Sequence, residues 1–321
     1  MNNLKKIGLT ALAASLVSTS VFAGEVTVAG SASMTVDGYT GESLNGGKGF
    51  SMGNQLTFTG GGELDNGLTV GISFVLDQGD EGTTGASTSP FDSHSVSISS
   101  DALGTLVMHG EGGSNAQAAL DTTAAGDIWD DFDGTTTGVA VESSASGADI
   151  LVYTLPSMVD GLSVSASYSP QQAGASSSTA YGLTYTGFEG LSVSYGKGDE
   201  NLGSSTLDTD TTTMKASYAY GSFTLAYSNN DHASAVANKD QETTSYKVSY
   251  TVSDAISVSY GTEEIAKENS TVDAEYEKLS VSYTSGGMTV SAASASSTDA
   301  LHGTTDIEDR DYWSLGLSFA F

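Results

Sequence analysis

Period-two alternation dominates the chain: a large apolar residue, then Ser, Thr or Gly, repeated in short segments from residue 25 to the end. The last residues carry it most clearly. Trp313, Leu315, Leu317, Phe319 and Phe321 share one parity, and Ser314, Gly316, Ser318 and Ala320 share the other, with Tyr312 alone out of step. Successive side chains of a strand point to opposite faces, so such a segment has one oily face and one polar or tightly packed face.

Six places put a turn pair before an apolar residue, a Ser or Thr, and a second apolar residue. The pairs are Asn66-Gly67, Asp160-Gly161, Glu189-Gly190, Gly221-Ser222, Asp254-Ala255 and Gly286-Gly287, with a weaker member at Leu103-Gly104. Each is a tight hairpin turn entering a strand. Counting the weak member from Asp101, successive starts are separated by 35, 59, 29, 32, 33 and 32 residues. A gap near 32 holds two strands of about 10 residues, a turn and a loop of about 10. The 59-residue gap therefore carries about 27 extra residues, which makes the loop from Gly112 to Gly147 unusually long.

The alternation predicts strands near 25–36, 51–63, 68–77, 93–100, 104–111, 148–155, 162–169, 178–186, 191–198, 211–220, 223–230, 243–252, 256–264, 275–284, 288–296 and 311–321. Sixteen is an even number, so the chain returns to its starting side and can close without a sheet edge. A soluble sandwich or solenoid also has alternating strands. Here the apolar face ends repeatedly in Tyr, at Tyr168, Tyr195, Tyr227, Tyr260 and Tyr283, as rings at a membrane–water interface would. The other face is Ser, Thr and Gly, a poor dry core. The expected fold is all-β, a transmembrane antiparallel β-barrel of 16 strands whose third loop is long.

Residues 1–23 form an export signal, with Lys5 and Lys6 ahead of an apolar stretch and cleavage after Val21-Phe22-Ala23. The competing reading, a membrane helix, suffers from a run too short and too rich in Ser and Thr. Residues 24–321 are then the barrel. No later segment has 18 consecutive apolar residues, which excludes a spanning helix but not a barrel. There are no cysteines, so disulfides and thiolate metal sites are excluded. Once Lys5 and Lys6 leave with the signal, 8 basic residues face 39 acidic ones, a net of −31. Nucleic acid is excluded as a partner, since binding it needs clustered Lys and Arg, and Arg310 is the sole arginine. The acids either solvate loops or favour cations along a conduit. The four histidines lack metal-ligand spacing, and no nucleophile–base set or phosphate loop is present. Nothing points to an enzyme.

The terminal strand ending in Phe321, the insertion after the fifth strand, and the run Tyr153-Thr154-Leu155-Pro156-Ser157 continuing to Gly161-Leu162-Ser163-Val164-Ser165-Ala166-Ser167-Tyr168 resemble the general diffusion porins of Gram-negative outer membranes, in particular the sixteen-stranded alphaproteobacterial type. The resemblance implies a homotrimer in the cell outer membrane, with the third loop folded inward as the narrowest point. It also implies outer-membrane lipid and lipopolysaccharide as surroundings, and assembly machinery that engages the C-terminal strand. The chain departs from the family in one respect: strands two to four, as predicted, carry no Lys or Arg, and Gln55 and Thr57 take lumen parity. A transverse field from opposed arginines is therefore not expected.

On this reading Asp127, Asp130, Asp131 and Asp133 line the pore constriction, with Trp129 and Phe132 pinning the loop to the wall or to neighbouring loops. The plainer alternative is an exposed acidic loop. Lys215, Lys247 and Lys278 share lumen parity and are pore-wall residues, either opposing the acidic loop or simply hydrating the interior. Tyr168, Tyr195 and Tyr260 mark the membrane interface, and Phe321 the terminal signal. No cofactor is expected. A weak calcium signal lies at Asp130, Asp131 and Asp133, where clustered oxygens precede Gly134 without a complete calcium-loop pattern. The function expected is passive diffusion of small hydrophilic solutes and ions through a cation-preferring channel. The rival is a non-conducting structural or adhesive surface protein.

Overall fold

The computed structural model describes residues 26–40, 47–77, 91–133, 141–170, 177–201, 207–300, 302 and 309–321. The export signal, and most of the acidic runs at 77–81 and 306–309, lie outside the described residues. Sixteen long strands form one closed antiparallel barrel. In chain order they are β1 (Thr27–Thr40), β2 (Gly47–Glu63), β3 (Thr69–Asp77), β4 (Ser93–Ser100), β5 (Gly104–Glu111), β6 (Ile150–Thr154), β7 (Leu162–Ser169) and β8 (Ser177–Tyr185), followed by β9 (Leu191–Asn201), β10 (Thr209–Tyr220), β11 (Phe223–Ser234), β12 (Gln241–Ser253), β13 (Ile256–Lys267), β14 (Ala274–Ser285), β15 (Met288–Thr298) and β16 (Arg310–Ala320). Every predicted strand is present, with ends displaced by at most four residues. The largest overruns include the loop ends of β1 and β11. There both faces are polar, as at Asn229 to Ser234, so the hydrogen-bond ladder outlasts the hydrophobic alternation that announces it.

Short turns punctuate one rim. Gly67, Gly104, Gly161, Gly190, Gly221 and Gly286 all have φ between 59° and 80°, a left-handed backbone that a Cβ disfavours. The turn before β13 has no glycine and instead carries a register shift between Thr251 and Ser253.

Closure depends on β1 and β16, which pair from Ser31↔Ala320 to Thr40↔Asp311. Beyond that ladder Gly30 and Phe321 exchange backbone bonds of 2.7 and 2.9 Å. A Cβ on Gly30 would run into the Phe321 ring, so the terminal aromatic lies across the glycine and covers the last rung.

Register confirms the two-faced reading. Leu315, Val290 and Val36 point outward with Met34 and Leu317, while Ser314, Tyr312 and Tyr39 point into the lumen. The tyrosines need one correction. Tyr168, Tyr195, Tyr227 and Tyr260 lie on strands leaving the short turns, whereas Tyr283 sits on β14 two residues before it ends at Ser285. Alternate strands run in opposite directions, so Tyr283 joins Tyr185, Tyr220 and Tyr250 near the turn rim. The rings form two belts, not one. Neighbours within them touch, with Tyr227–Tyr246 centroids 5.2 Å apart and Phe223–Tyr250 4.8 Å apart.

Gly30→Leu should force the Phe321 ring off the closing rung and destabilise the barrel by roughly 1–3 kcal/mol, the usual cost of overpacking. The urea midpoint in detergent and the yield of folded, heat-modifiable protein should both fall; an unchanged midpoint would remove Gly30 from the closure.

Candidate constriction site

The 112–149 segment does not stay outside. Gly112 (φ 64°) turns it inward, and a two-residue ladder, Gly113–Ser114 with Ser146–Gly147, ties its two ends together. It then follows the inner wall strand by strand. Ala116 N donates to Ser167 Oγ of β7 at 2.9 Å, and Gln117 Nε2 to Thr213 Oγ1 of β10 at 2.8 Å. Ala124 N reaches Ser228 Oγ of β11 at 2.7 Å and Ala125 N reaches Ser245 Oγ of β12 at 2.9 Å. Trp129 N donates to Glu263 Oε2 of β13 at 3.0 Å, and Thr123 Oγ1 donates to the other Glu263 oxygen. The Tyr39 hydroxyl of β1 donates to Asp131 O at 2.7 Å. On the way back, Glu142 N donates to Gln241 Oε1 at 2.7 Å and Asn230 Nδ2 to Glu142 O at 2.8 Å. Buried backbone donors need partners, and the wall hydroxyls supply them.

Glycines on the lumen face make room for this contact. A Cβ on Gly182 would stand 2.5 Å from Ala116 O, one on Gly196 3.2 Å from Gln117 Cα, and one on Gly261 2.7 Å from Ala125 Cβ. All three follow an outward tyrosine, as Tyr181-Gly182, Tyr195-Gly196 and Tyr260-Gly261. An apolar plug seals the far end. Ile128 and Phe132 are fully buried against Ile265, Ala274, Tyr276, Ala295 and Tyr312. Phe132 lies 5.7 Å from Tyr276 and 6.2 Å from Tyr312, centroid to centroid. Trp129 packs on the same cluster, so both loop aromatics hold the loop to the wall as the sequence suggests.

The four predicted acids take different roles. Asp127 (φ 54°) folds back on its own turn: its Oδ1 accepts from Thr123 N at 2.8 Å, while its N–H donates to Thr123 Oγ1 at 2.7 Å. Asp130 is exposed at the start of a helical turn, Asp130–Asp133. Asp131 forms an ion pair with Lys278 Nζ at 2.6 Å. Burial raises the Asp131 carboxyl pKa, and the Lys278 ammonium pulls the other way. Burial likewise raises that of Asp121. The side chain of Asp133 lies outside the described residues. Among the described residues no group of three or more His, Cys, Asp or Glu is arranged to hold a metal ion, and Lys278 already occupies an Asp131 oxygen that calcium would need.

The lysines face the lumen as their parity requires, but not across it. Lys215 donates to Thr122 O and Lys247 Nζ to Ala125 O at 3.5 Å. The loop lies directly over all three, so they brace it from beneath. Tyr168, Tyr195 and Tyr260 are on the outer surface, where the Tyr260 hydroxyl donates to Glu277 Oε2 at 2.6 Å.

Across the bore, β2–β4 show the lumen Gln55, Thr57 and hydroxyls such as Ser73 and Ser95, while Asp37 of β1 shares the lumen face with Tyr39, beside the loop end that Tyr39 holds. The second strand proves longer than its alternation indicates and includes Lys48, which pairs with Gly38 on the outward parity. The described lumen face of β2–β4 is thus without a basic residue. Sequence reasoning missed Glu263, Tyr39, Asp37 and the glycine seat. Two signals were available: an acid on lumen parity in β13, and the recurring Tyr-Gly pairs.

A family model described as Gram-negative porin matches residues 8–277. No curated protein matches the chain by sequence. Among solved structures, a porin refined at 1.8 Å aligns over 92% of this chain and 100% of its own at 21% identity, TM-score 0.66. An anion-selective porin from Comamonas acidovorans aligns over 93% and 100% at 18% identity, TM-score 0.67. A loop-L8 deletion mutant of OmpT, an outer membrane protein of Vibrio cholerae, aligns over 93% and 100% at 17% identity, TM-score 0.72. These likenesses establish a shared barrel fold.

Two outcomes follow from the geometry. Glu263→Ala removes a carboxylate that two loop donors share, a loss of roughly 1–3 kcal/mol. Amide exchange over 123–133 should accelerate while the strands stay protected; uniform protection would show the loop does not depend on Glu263. Because its pKa is raised, Asp131 takes up a proton above the ordinary aspartate value of about 3.9 as pH falls. Lys278 is then an unmatched cation, so any preference for cations should weaken with an acid midpoint above that value, and Asp131→Asn should abolish the transition. A midpoint at or below the ordinary value would contradict the burial of this pair.

Proposed function

We propose, from the premise that the chain belongs to the Gram-negative porin family, that its pore favours cations over anions. Membership makes it an outer-membrane channel through which small hydrophilic solutes diffuse passively. The fold does not set the sign of selectivity, since the same architecture serves an anion-selective porin of Comamonas acidovorans. Side chains must. The observation that carries the proposal is the placement of positive charge: Lys278 is matched by Asp131, and Lys215 and Lys247 are turned to loop carbonyls. Asp130 on the loop and Asp37 on β1 beside the loop end add carboxylates, and the described lumen face of β2–β4 carries no basic residue. A carboxylate about 7 Å from a passing cation attracts it by roughly 0.6–2.4 kcal/mol for an effective dielectric constant of about 80–20. That is a several-fold preference at least.

The partners belong to the same proposal. Twelve outward tyrosines, from Tyr153 to Tyr283, are confined to β6–β14, which supports contact there with outer-membrane lipid and, on the outer leaflet, lipopolysaccharide. The outward face of β1–β5 has neither Tyr nor Trp and leaves Phe50 88% and Met52 71% exposed. An oily wall lacking interface rings suits packing against further copies, in keeping with a homotrimer. β16 and Phe321 are the segment that barrel-assembly machinery would take up.

Reversal potentials in planar bilayers under a KCl gradient test the selectivity. The expected result is cation preference that falls several-fold in the Asp37→Asn, Asp130→Asn double variant. Sustained anion preference in the unaltered protein would overturn the proposal.

A further inference from the structure

Arg310 is the chain's only arginine and begins β16 on the lumen parity, directly opposite Ser297 of β15. It is 7% exposed and Ser297 3%. The guanidinium Nε and Nη1, and the Ser297 hydroxyl, are buried and make no hydrogen bond among the described residues. Among the described residues, the carboxylates next to it in the chain are engaged elsewhere. Asp309 Oδ1 accepts from Asp299 N at 3.1 Å, and Asp311 points outward, where Thr40 Oγ1 lies 3.4 Å from its Oδ2. Asp131 serves Lys278, and Glu263 serves Thr123 and Trp129.

Taking a guanidinium out of water without a counter-charge costs several kcal/mol, and it cannot escape by losing its proton. A chain with 39 acidic residues places none of its described carboxylates on this one. We propose that Arg310 and Ser297 form a buried site for one small monovalent anion, chloride or a short carboxylate, at the loop end of the lumen wall. One positive group and one hydroxyl donor match a single negative charge. A polyvalent anion would leave excess charge in a bore already rich in acids. The site stands on its own geometry, and only its consequence rests on the cation-selective reading. With its anion in place, Arg310 presents no net positive charge to the lumen.

Bromide scatters anomalously and can replace chloride in crystals of the full-length protein. A bromide peak within hydrogen-bond distance of Arg310 and Ser297 Oγ, displaced by acetate, is the expected result. A water or a carboxylate of the chain itself on the guanidinium would overturn the proposal. In detergent solution, the excess 35Cl linewidth produced by the protein should drop to the buffer level in Arg310→Gln and persist in Arg310→Lys. Equal broadening or equal bromide in Arg310→Gln would mean an adventitious ion only. The bromide measurement on the unaltered chain holds even if that variant fails to fold. Bilayer selectivity is a separate readout, so loss of cation preference with the anion still bound would sink the proposed function and spare the site.

Discussion

Hydrocarbon offers no partner to a backbone N–H or C=O, and each one left open there costs several kcal/mol. A sheet can meet that demand only by closing, and much of this architecture follows from closure. The strand number is even, so that β16 arrives antiparallel beside β1. The final rung is made by the last residue, Phe321, against Gly30. A glycine is required there because the terminal ring occupies the space a side chain would take. The two rims differ because tight glycine turns suffice on one side, while the connections on the other are free to grow.

Closure creates an interior that cannot be filled from the strands alone. The 112–149 segment fills part of it, and it brings its own backbone donors into a partly dry space. The wall answers with hydroxyls. Ser167, Thr213, Ser228 and Ser245 bond to the loop, and three of them are less than 4% exposed. Much of the small polar face of β7–β13 is therefore a bonded seam rather than a wetted surface. The apolar plug around Phe132 and the carboxylate of Glu263 fix the far end of the loop, where wandering would matter most to passage.

The sequence makes the strands legible because period-two polarity is an immediate image of strand geometry. It makes the loop's length legible because a 59-residue interval breaks a near-uniform spacing. Parity also placed Lys215, Lys247 and Lys278 on the lumen side. What periodicity does not encode is which part of the wall the loop rests on, so the same three lysines emerged as supports beneath it. Asp127 illustrates a second blind spot. An aspartate spaced four residues after a threonine can cap its own turn as readily as it can face solvent, and only the backbone conformation distinguishes the two. Tyr283 falls in the other belt because depth depends on strand direction, which period-two polarity does not carry. The Tyr-Gly pairs were visible throughout, yet they mean a loop seat only once both sides of the strand have an occupant.

Those pairs have a consequence beyond packing. In Tyr181-Gly182, Tyr195-Gly196 and Tyr260-Gly261, adjacent codons answer to different masters, one to bilayer chemistry and the next to permeability. A lineage can retune what passes through by changing the inner member of each pair, and with it the standoff of the loop, while the membrane-anchoring member remains untouched. Period-two geometry thus separates two heritable traits along a single strand, which lets a channel diversify its traffic without renegotiating its place in the envelope.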